Sequence, residues 1–189
     1  MKLITPIIST ILVALVAMPV FSNPPTNGAS SSVVGRTKQQ VRITDEQIMG
    51  IIIAVDKSEI AAANIAGTKK IMKKVSHYAH YLKKQHTHNL YMIEKLAHTT
   101  GLKPMKSVQS IAIAKDARSE GAMLSKLNGK EFESAYIDAM VKGHAGGLKL
   151  INTVLLKEVT NAKLKHFVKS FRALVTRHLE EGKRIQASM

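Results

Sequence analysis

The chain has 189 residues, enough for one domain with a sizeable core and too few for two comfortable ones. It contains no cysteine, which excludes disulfides, thiolate metal ligands and a lipid attached at a signal cleavage site. Twenty-eight lysines and arginines stand against 13 acidic residues, and the net charge of +15 favours anionic partners.

The first 22 residues are typical of a secretory signal peptide. Lys2 gives a short positive segment, a long apolar run follows, and Ser22 supplies a small residue for cleavage. This pattern predicts export to the periplasm, with outer-membrane association or secretion as alternatives, and an uncleaved anchor as the competing interpretation. No later apolar run reaches the ~20 residues that span a bilayer. Residues 23–42 are rich in Pro, Ser, Asn and Gly and indicate a flexible leader, so the folded domain should occupy residues 43–189.

From Thr44 onward, apolar residues recur in steps of three and four, which predicts helices and no strands. Thr44 and Gln47 have the spacing of a capping box, Asn128 and Gly129 mark a helix end, and Asn161 is a predicted N-cap. Predicted helices A to E cover about residues 45–67, 69–99, 107–127, 130–160 and the stretch after Asn161. The predicted fold is therefore all-α, with five helices packed as an antiparallel up-and-down bundle.

In four of these helices, one position of the apolar stripe is occupied by an ionisable residue. This residue is Glu59 in helix A, His86 in helix B, His144 in helix D and His178 in helix E. Such groups cost a few kcal/mol when they are buried without partners. We therefore expect them to be partners of one another, or to hold something between them.

The three histidines are expected to lie at one depth. With ~1.5 Å rise per residue, His86 lies about 25 Å from the A/B turn, and His144 lies about 21 Å from the C/D turn at the same end. His144 precedes Asn161 by 17 residues and His178 follows it by 17, so antiparallel helices D and E bring the two rings to one level. Three imidazoles suit zinc, copper, nickel or iron without specifying which metal. The alternative is that each is a hydrogen-bonded core residue.

Further residues are candidates for the same site. Glu59 is estimated to lie one to two turns above the imidazoles, near the height of Tyr136, so a hydrogen bond between these two is expected. Glu181 follows His178 by three residues and is a candidate either to bind the metal or to orient an imidazole. The candidate metal ligands are thus His86, His144, His178, Glu59 and Glu181, with Tyr136 in support.

Helix D also carries three glycines beside its histidine, namely Gly143, Gly146 and Gly147. Each glycine costs about 1 kcal/mol of helix stability relative to alanine, so three together require a reason. One interpretation is that they make room for a neighbouring helix or a cluster of metal ligands. The other is ordinary close packing with no ligand.

The sequence offers no support for an enzyme. The Glu-x-x-His pairs of di-iron bundles do not occur, and neither do His-Glu-x-x-His, a P-loop or a nucleophile elbow. We therefore expect a binding protein rather than a catalyst.

Residues 58–102, 124–144 and 174–182 resemble the bacterial domain of unknown function numbered 4142. The resemblance implies an exported protein with a ferritin-like helical bundle, and it covers about residues 44–182. The residues that match the family pattern are Glu59, His86, Phe132, Glu133, Tyr136, His144 and His178. The family usually has aspartate just before its first two histidines, where this chain has Gln85 and Gly143. Because the family's function is poorly defined, the resemblance implies a fold rather than an activity.

Two functions follow from these observations. The first is an exported bundle that binds a transition metal in its core, for metal buffering, storage or envelope stress protection. The alternative is a non-enzymatic interaction protein whose basic exterior binds an anionic envelope polymer, a lipid surface or an acidic protein, with nucleic acid less favoured. The basic residues concerned are Lys69, Lys70, Lys73, Lys74, Lys83, Lys84, Lys165, Lys169 and Arg172.

Overall fold

The described residues of the protein, 42–189 in a computed structural model, are helical throughout, and no strand occurs among them. The predicted signal peptide and residues 23–41 of the predicted leader lie outside the described residues. The elements are α1 (Asp45–Gly67), α2 (Lys73–Thr100), α3 (Val108–Lys126), α4 (Gly129–Leu150), a π-helical segment (Ile151–Leu155), α5 (Leu156–Glu158) and α6 (Ala162–Ala187). Because α4, the π-helical segment and α5 are continuous, residues 42–189 form five helical rods. Between residues 42 and 189, no helix is both long and apolar enough to cross a membrane.

Side-chain caps fix the starts of several helices. The capping box predicted for α1 is confirmed: the Thr44 hydroxyl accepts from Gln47 N–H at 3.3 Å, and Gln47 Oε1 accepts from Thr44 N–H at 3.1 Å. Asn161 Oδ1 accepts from Leu164 N–H at 3.0 Å and begins α6, also as predicted. Each cap satisfies backbone donors that the first helical turn leaves unpaired.

Two boundaries differ from the prediction. Helix α2 begins at Lys73 rather than near residue 69, because Glu133 of α4 accepts a 2.6 Å hydrogen bond from Met72 N–H and holds that residue outside the helix. Gly129 does more than end the preceding helix, since it is the first residue of α4 and has a φ of +53°. That left-handed conformation favours glycine at this tight α3–α4 connection.

The five rods pack side by side in the order α3, α1, α2, α6, α4. Helix α1 packs against α2 and α3, and α6 packs against α2 and α4, whereas α3 and α4 touch only lightly. Lys74 near the start of α2 donates to the carbonyl of Ser188, just past the end of α6, so these two helices are antiparallel. The predicted all-α bundle is confirmed.

The core consists of two apolar clusters, one toward each end of the bundle. One cluster includes Ile52, Ile93, Ile151 and Val175, and the other includes Ala66, Leu82, Met140 and Ile185. Each of the four core helices, α1, α2, α4 and α6, passes from one cluster to the other. At the crossing these helices carry the buried polar residues Asp56, His86, His144 and His178, one on each helix, and α2 adds a second, Asn89.

We expect Gly50→Ala to destabilise the bundle by about 1–3 kcal/mol, the usual range for overpacking. The loop after α2 lies directly on α1, where Met105 N–H donates to Glu46 O at 2.9 Å, and a Cβ at position 50 would overlap the carbonyl oxygen of Met105. Guanidinium unfolding measures the change. Gly67→Ala is the matched control, because a Cβ there meets nothing within 4 Å. Equal stability of the two variants would contradict the packing described here.

Candidate metal centre

Three histidines from α2, α4 and α6 converge in the middle of the bundle. The ring centroids of His86 and His178 are 5.0 Å apart, those of His144 and His178 are 5.2 Å apart, and those of His86 and His144 are 5.9 Å apart. Each residue offers a ring nitrogen within 4.8 Å of the others, and none is more than 3% exposed. The predicted meeting of these three imidazoles at one depth is confirmed.

Two of the rings are oriented through Nδ1. His144 Nδ1 lies 2.7 Å from the carbonyl oxygen of Met140, one turn earlier in α4, and His86 Nδ1 lies 2.8 Å from Asp56 Oδ1 on α1. A carbonyl oxygen can only accept, so Nδ1 of His144 carries the proton and Nε2 keeps its lone pair when the ring is neutral. The carboxylate of Asp56 favours the same tautomer of His86. His144 therefore offers Nε2, and His86 offers Nε2 when Asp56 is ionised.

The third ring is held by packing rather than by hydrogen bonds. Tyr81 meets His178 edge-on with centroids 5.2 Å apart, and the Tyr78 hydroxyl donates to the backbone carbonyl of His178 at 2.8 Å. Gly182 permits this arrangement, since a Cβ there would lie 2.9 Å from the Tyr78 oxygen and 3.1 Å from Val141. Neither nitrogen of the His178 ring has a hydrogen-bond partner.

Six buried side-chain atoms in residues 42–189 have no hydrogen-bond partner. They are Nε2 of His86, Nε2 of His144, both ring nitrogens of His178, Oε2 of Glu59 and the hydroxyl of Tyr136. Leaving a buried polar group unpaired costs about 1–3 kcal/mol, and bound water or a bound ion is the usual explanation. Four of these six atoms belong to the three converging imidazoles.

Burial keeps the rings of His86 and His178 neutral at neutral pH. It lowers the pKa of His86 to about 4, and it lowers the pKa of His178 to about 2 with further help from the nearby imidazoles. Burial also raises the pKa of Asp56 to about 8, partly offset by the 2.7 Å hydrogen bond from Asn89 Nδ2 to Asp56 Oδ2. At neutral pH Asp56 is therefore protonated, and the Asp56–His86 pair must lose that proton before Nε2 of His86 is free to bind a cation.

Sequence reasoning missed Asp56 and Asn89. Asp56 was detectable, because it follows Ile52 by four residues and precedes Ala63 by seven, which places it on the buried face of α1. Asn89 follows His86 by three residues on the same face of α2. Together they form a buried chain from Asn89 through Asp56 to His86.

Of the two carboxylates predicted as metal ligands, Glu59 lies at the histidine cluster and Glu181 does not. Glu59 lines a small cavity with His86 and His144. Its expected hydrogen bond to Tyr136 is wrong, since the Tyr136 hydroxyl and Oε2 of Glu59 each lack a partner. The negative charge of Glu59 nonetheless helps burial to raise the pKa of Tyr136. Glu181 does not join the cluster: its Oε2 pairs with Arg184 at 2.6 Å, and its side chain is 39% exposed.

The cavity beside His86 and His144 has a volume of about 30 Å³, enough for a water molecule or an ion. A Cβ at Gly143 would lie 3.9 Å from Glu59 Oε1, and one at Gly147 would lie 3.8 Å from Val175. These are ordinary contacts, so close helix approach does not explain either glycine. Both glycines instead form part of the cavity wall. The π-helical segment closes the same cavity through Ile151 and Leu155, and such segments are frequent at functional sites.

The pattern of the DUF4142 family, described as a domain of unknown function, matches residues 31–185. The chain belongs to this family. A comparison of this DUF4142 protein with curated proteins found no match.

Two solved structures resemble the fold of the DUF4142 chain. A DUF305 fragment from Deinococcus radiodurans is 12% identical, with a TM-score of 0.65 over 77% of this chain and 96% of that one. A DUF305 protein from Streptomyces coelicolor, described as a candidate secreted protein, is 14% identical, with a TM-score of 0.63 over 77% of this chain and 93% of that one. At these identities the likeness shows the helical fold alone.

The depressed pKa of His178 makes its contribution to stability depend on pH. An unfolded imidazole titrates near 6.5 and the folded ring near 2, so the stabilisation is complete above about pH 6.5 and is lost as the pH falls below it. The unfolding free energy of the metal-free protein, relative to His178→Gln, should fall by up to about 1.4 kcal/mol per pH unit below 6.5.

Guanidinium unfolding of both proteins between about pH 7.5 and 5 measures this difference, and subtracting the variant cancels the titrating groups that lie away from His178. The control is His80→Gln, which removes an exposed imidazole from α2 and leaves the buried cluster intact. A difference that stays constant over this range would contradict the account.

Proposed function

We propose that this DUF4142 protein binds one transition metal ion between α2, α4 and α6, through His86, His144 and His178. The observation that carries the proposal is the convergence of three buried imidazoles whose free nitrogens have no other partner. Satisfied core histidines, the alternative interpretation, would have hydrogen bonds at both ring nitrogens or exposure to water. None of these three rings does.

The donor set fits a metal ion. Zinc, copper, nickel and iron all accept neutral imidazole, and the lowered pKa values of His86 and His178 supply the neutral form. Two donors bonded to one ion at ~2.1 Å lie no more than about 4.2 Å apart. The nitrogens here lie within 4.8 Å, so only a small inward movement is needed. The ring of His178, which no hydrogen bond restrains, is the one freest to make it.

Glu59 is the carboxylate best placed to complete the site. It shares the small cavity with His86 and His144, and its Oε2 is buried without a partner. That oxygen either binds the ion or accepts a hydrogen bond from water bound to it. Glu181 would first have to leave Arg184, so we assign it a peripheral role.

The physiological role that we propose is metal buffering, storage or envelope stress protection in the periplasm. The signal-like N-terminus of the sequence supports export. A site with three ligands no more than 3% exposed suits retention of an ion rather than rapid exchange with substrate. We also expect no enzymatic reaction at this centre.

Removing one imidazole should largely abolish metal binding. We expect wild-type protein to bind one Zn²⁺ or Co²⁺ per chain, and His144→Gln and His178→Gln each to bind it about 100-fold more weakly or worse, because a donor is lost. Competition with a chromophoric chelator measures the affinity, and elemental analysis measures the stoichiometry. The matched control is His80→Gln, an exposed histidine of α2. Unchanged affinity in both core variants would overturn the proposal.

Asp56→Asn should weaken metal binding by about 10–100-fold, the usual effect of losing the carboxylate behind a histidine ligand. Asparagine keeps an oxygen for His86 Nδ1 but loses the negative charge that supports a cation on Nε2. The same chelator competition applies, with unfolding curves to show that the fold is retained. Asp116→Asn, an exposed acid on α3, controls for the change in net charge. An affinity equal to that of the control would exclude this role for Asp56.

A further inference from the structure

A long groove runs between α2 and α6, on the surface of the bundle, with a volume of about 760 Å³. Its apolar lining comes mainly from Met92 and Leu96 on α2 and from Phe167 and Leu174 on α6. Met92 is 38% exposed, so part of this apolar surface faces solvent. The volume lies within the 300–1,000 Å³ that is typical of small-molecule sites.

The groove is elongated. On α2 its lining runs from Gln85 to Thr99, which corresponds to about 21 Å along the helix axis. An occupant that touches the whole of this lining must therefore be elongated too, as an extended alkyl chain is.

The charge of the groove favours an anion. Three permanent cations, Lys95, Lys163 and Arg177, line it, and no acidic residue does. Lys95 and Lys163 come from facing helices at the end of the groove where α6 begins, and Ala162, the first residue of α6, also lines it. Two ammonium groups and the positive end of a 26-residue helix therefore favour negative charge at this end.

The apolar floor disfavours an extended peptide. A peptide strand would bring N–H and C=O groups that require partners. The four large apolar residues of the lining offer none, and the buried amide of Asn89 already donates to Asp56 at 2.7 Å. The other neutral polar residues of the lining are Gln85, His88, Thr99, His166 and Ser170. An alkyl chain makes no such demand, and its burial is favourable by about 0.8 kcal/mol per CH₂.

We propose that the groove binds a single-chain fatty acid, with its alkyl chain along Met92, Leu96, Phe167 and Leu174 and its carboxylate between Lys95 and Lys163. The binding needs no metal ion and does not depend on the function proposed above. It adds a small-molecule site on the α2–α6 face.

Isothermal titration calorimetry of the metal-free protein with laurate, below the critical micelle concentration of laurate, tests the proposal. We expect one laurate per chain, no measurable binding of acetate, which lacks the chain, and at least 10-fold weaker binding of dodecanol, which lacks the charge. Binding of acetate as tight as that of laurate, or of many laurates per chain, would overturn it. So would affinity for phosphatidylglycerol vesicles without affinity for monomeric laurate.

Variants locate the site. Lys95→Glu with Lys163→Glu should reduce laurate affinity at least 10-fold, whereas Lys83→Glu with Lys84→Glu, the same charge change on exposed residues of α2 outside the groove, should not. Met92→Trp should block the alkyl chain without changing the charge. Because Met92 is partly exposed, the larger side chain should not disrupt the fold, so a loss of binding would report on the groove itself. Wild-type affinity in both groove variants would refute the proposal.

Discussion

The burial of four polar side chains at one level of an apolar bundle is the constraint on which the rest of this structure depends. Asp56, His86, His144 and His178 lie between two hydrophobic clusters, out of reach of bulk water. Asn89 and the carbonyl of Met140 satisfy only part of the demand. What remains is a set of ring nitrogens that face one another, an arrangement that a bound cation would stabilise.

Each helix contributes to this centre in a different way. Helix α1 supplies the carboxylate behind His86, and α4 orients His144 with its own backbone one turn earlier. Helix α6 leaves the His178 ring without hydrogen bonds, while α2 packs tyrosines against it. Two rings are thus oriented by hydrogen bonds and the third is not, and all three offer nitrogens within 4.8 Å of one another.

Much of this arrangement was predictable from local rules, and the failures have physical causes. The caps at Thr44 and Asn161 set helix starts, and equal spacing about Asn161 set the level of two histidines. The predicted start of α2 was wrong because Glu133, which is distant in sequence, accepts a hydrogen bond from the backbone N–H of Met72, just before the helix. Asp56 was missed, and the Glu59–Tyr136 bond was wrong, because height along a rod does not specify side-chain direction.

The central claim is that the imidazoles of His86, His144 and His178 bind a single ion. X-ray absorption at the zinc edge of the loaded protein tests it directly, because bound imidazole rings give a characteristic outer-shell scattering in addition to nitrogen at ~2.0–2.1 Å. We predict that three imidazoles bind each zinc ion. A loaded ion with one imidazole or none, surrounded by carboxylate and water oxygens, would contradict it.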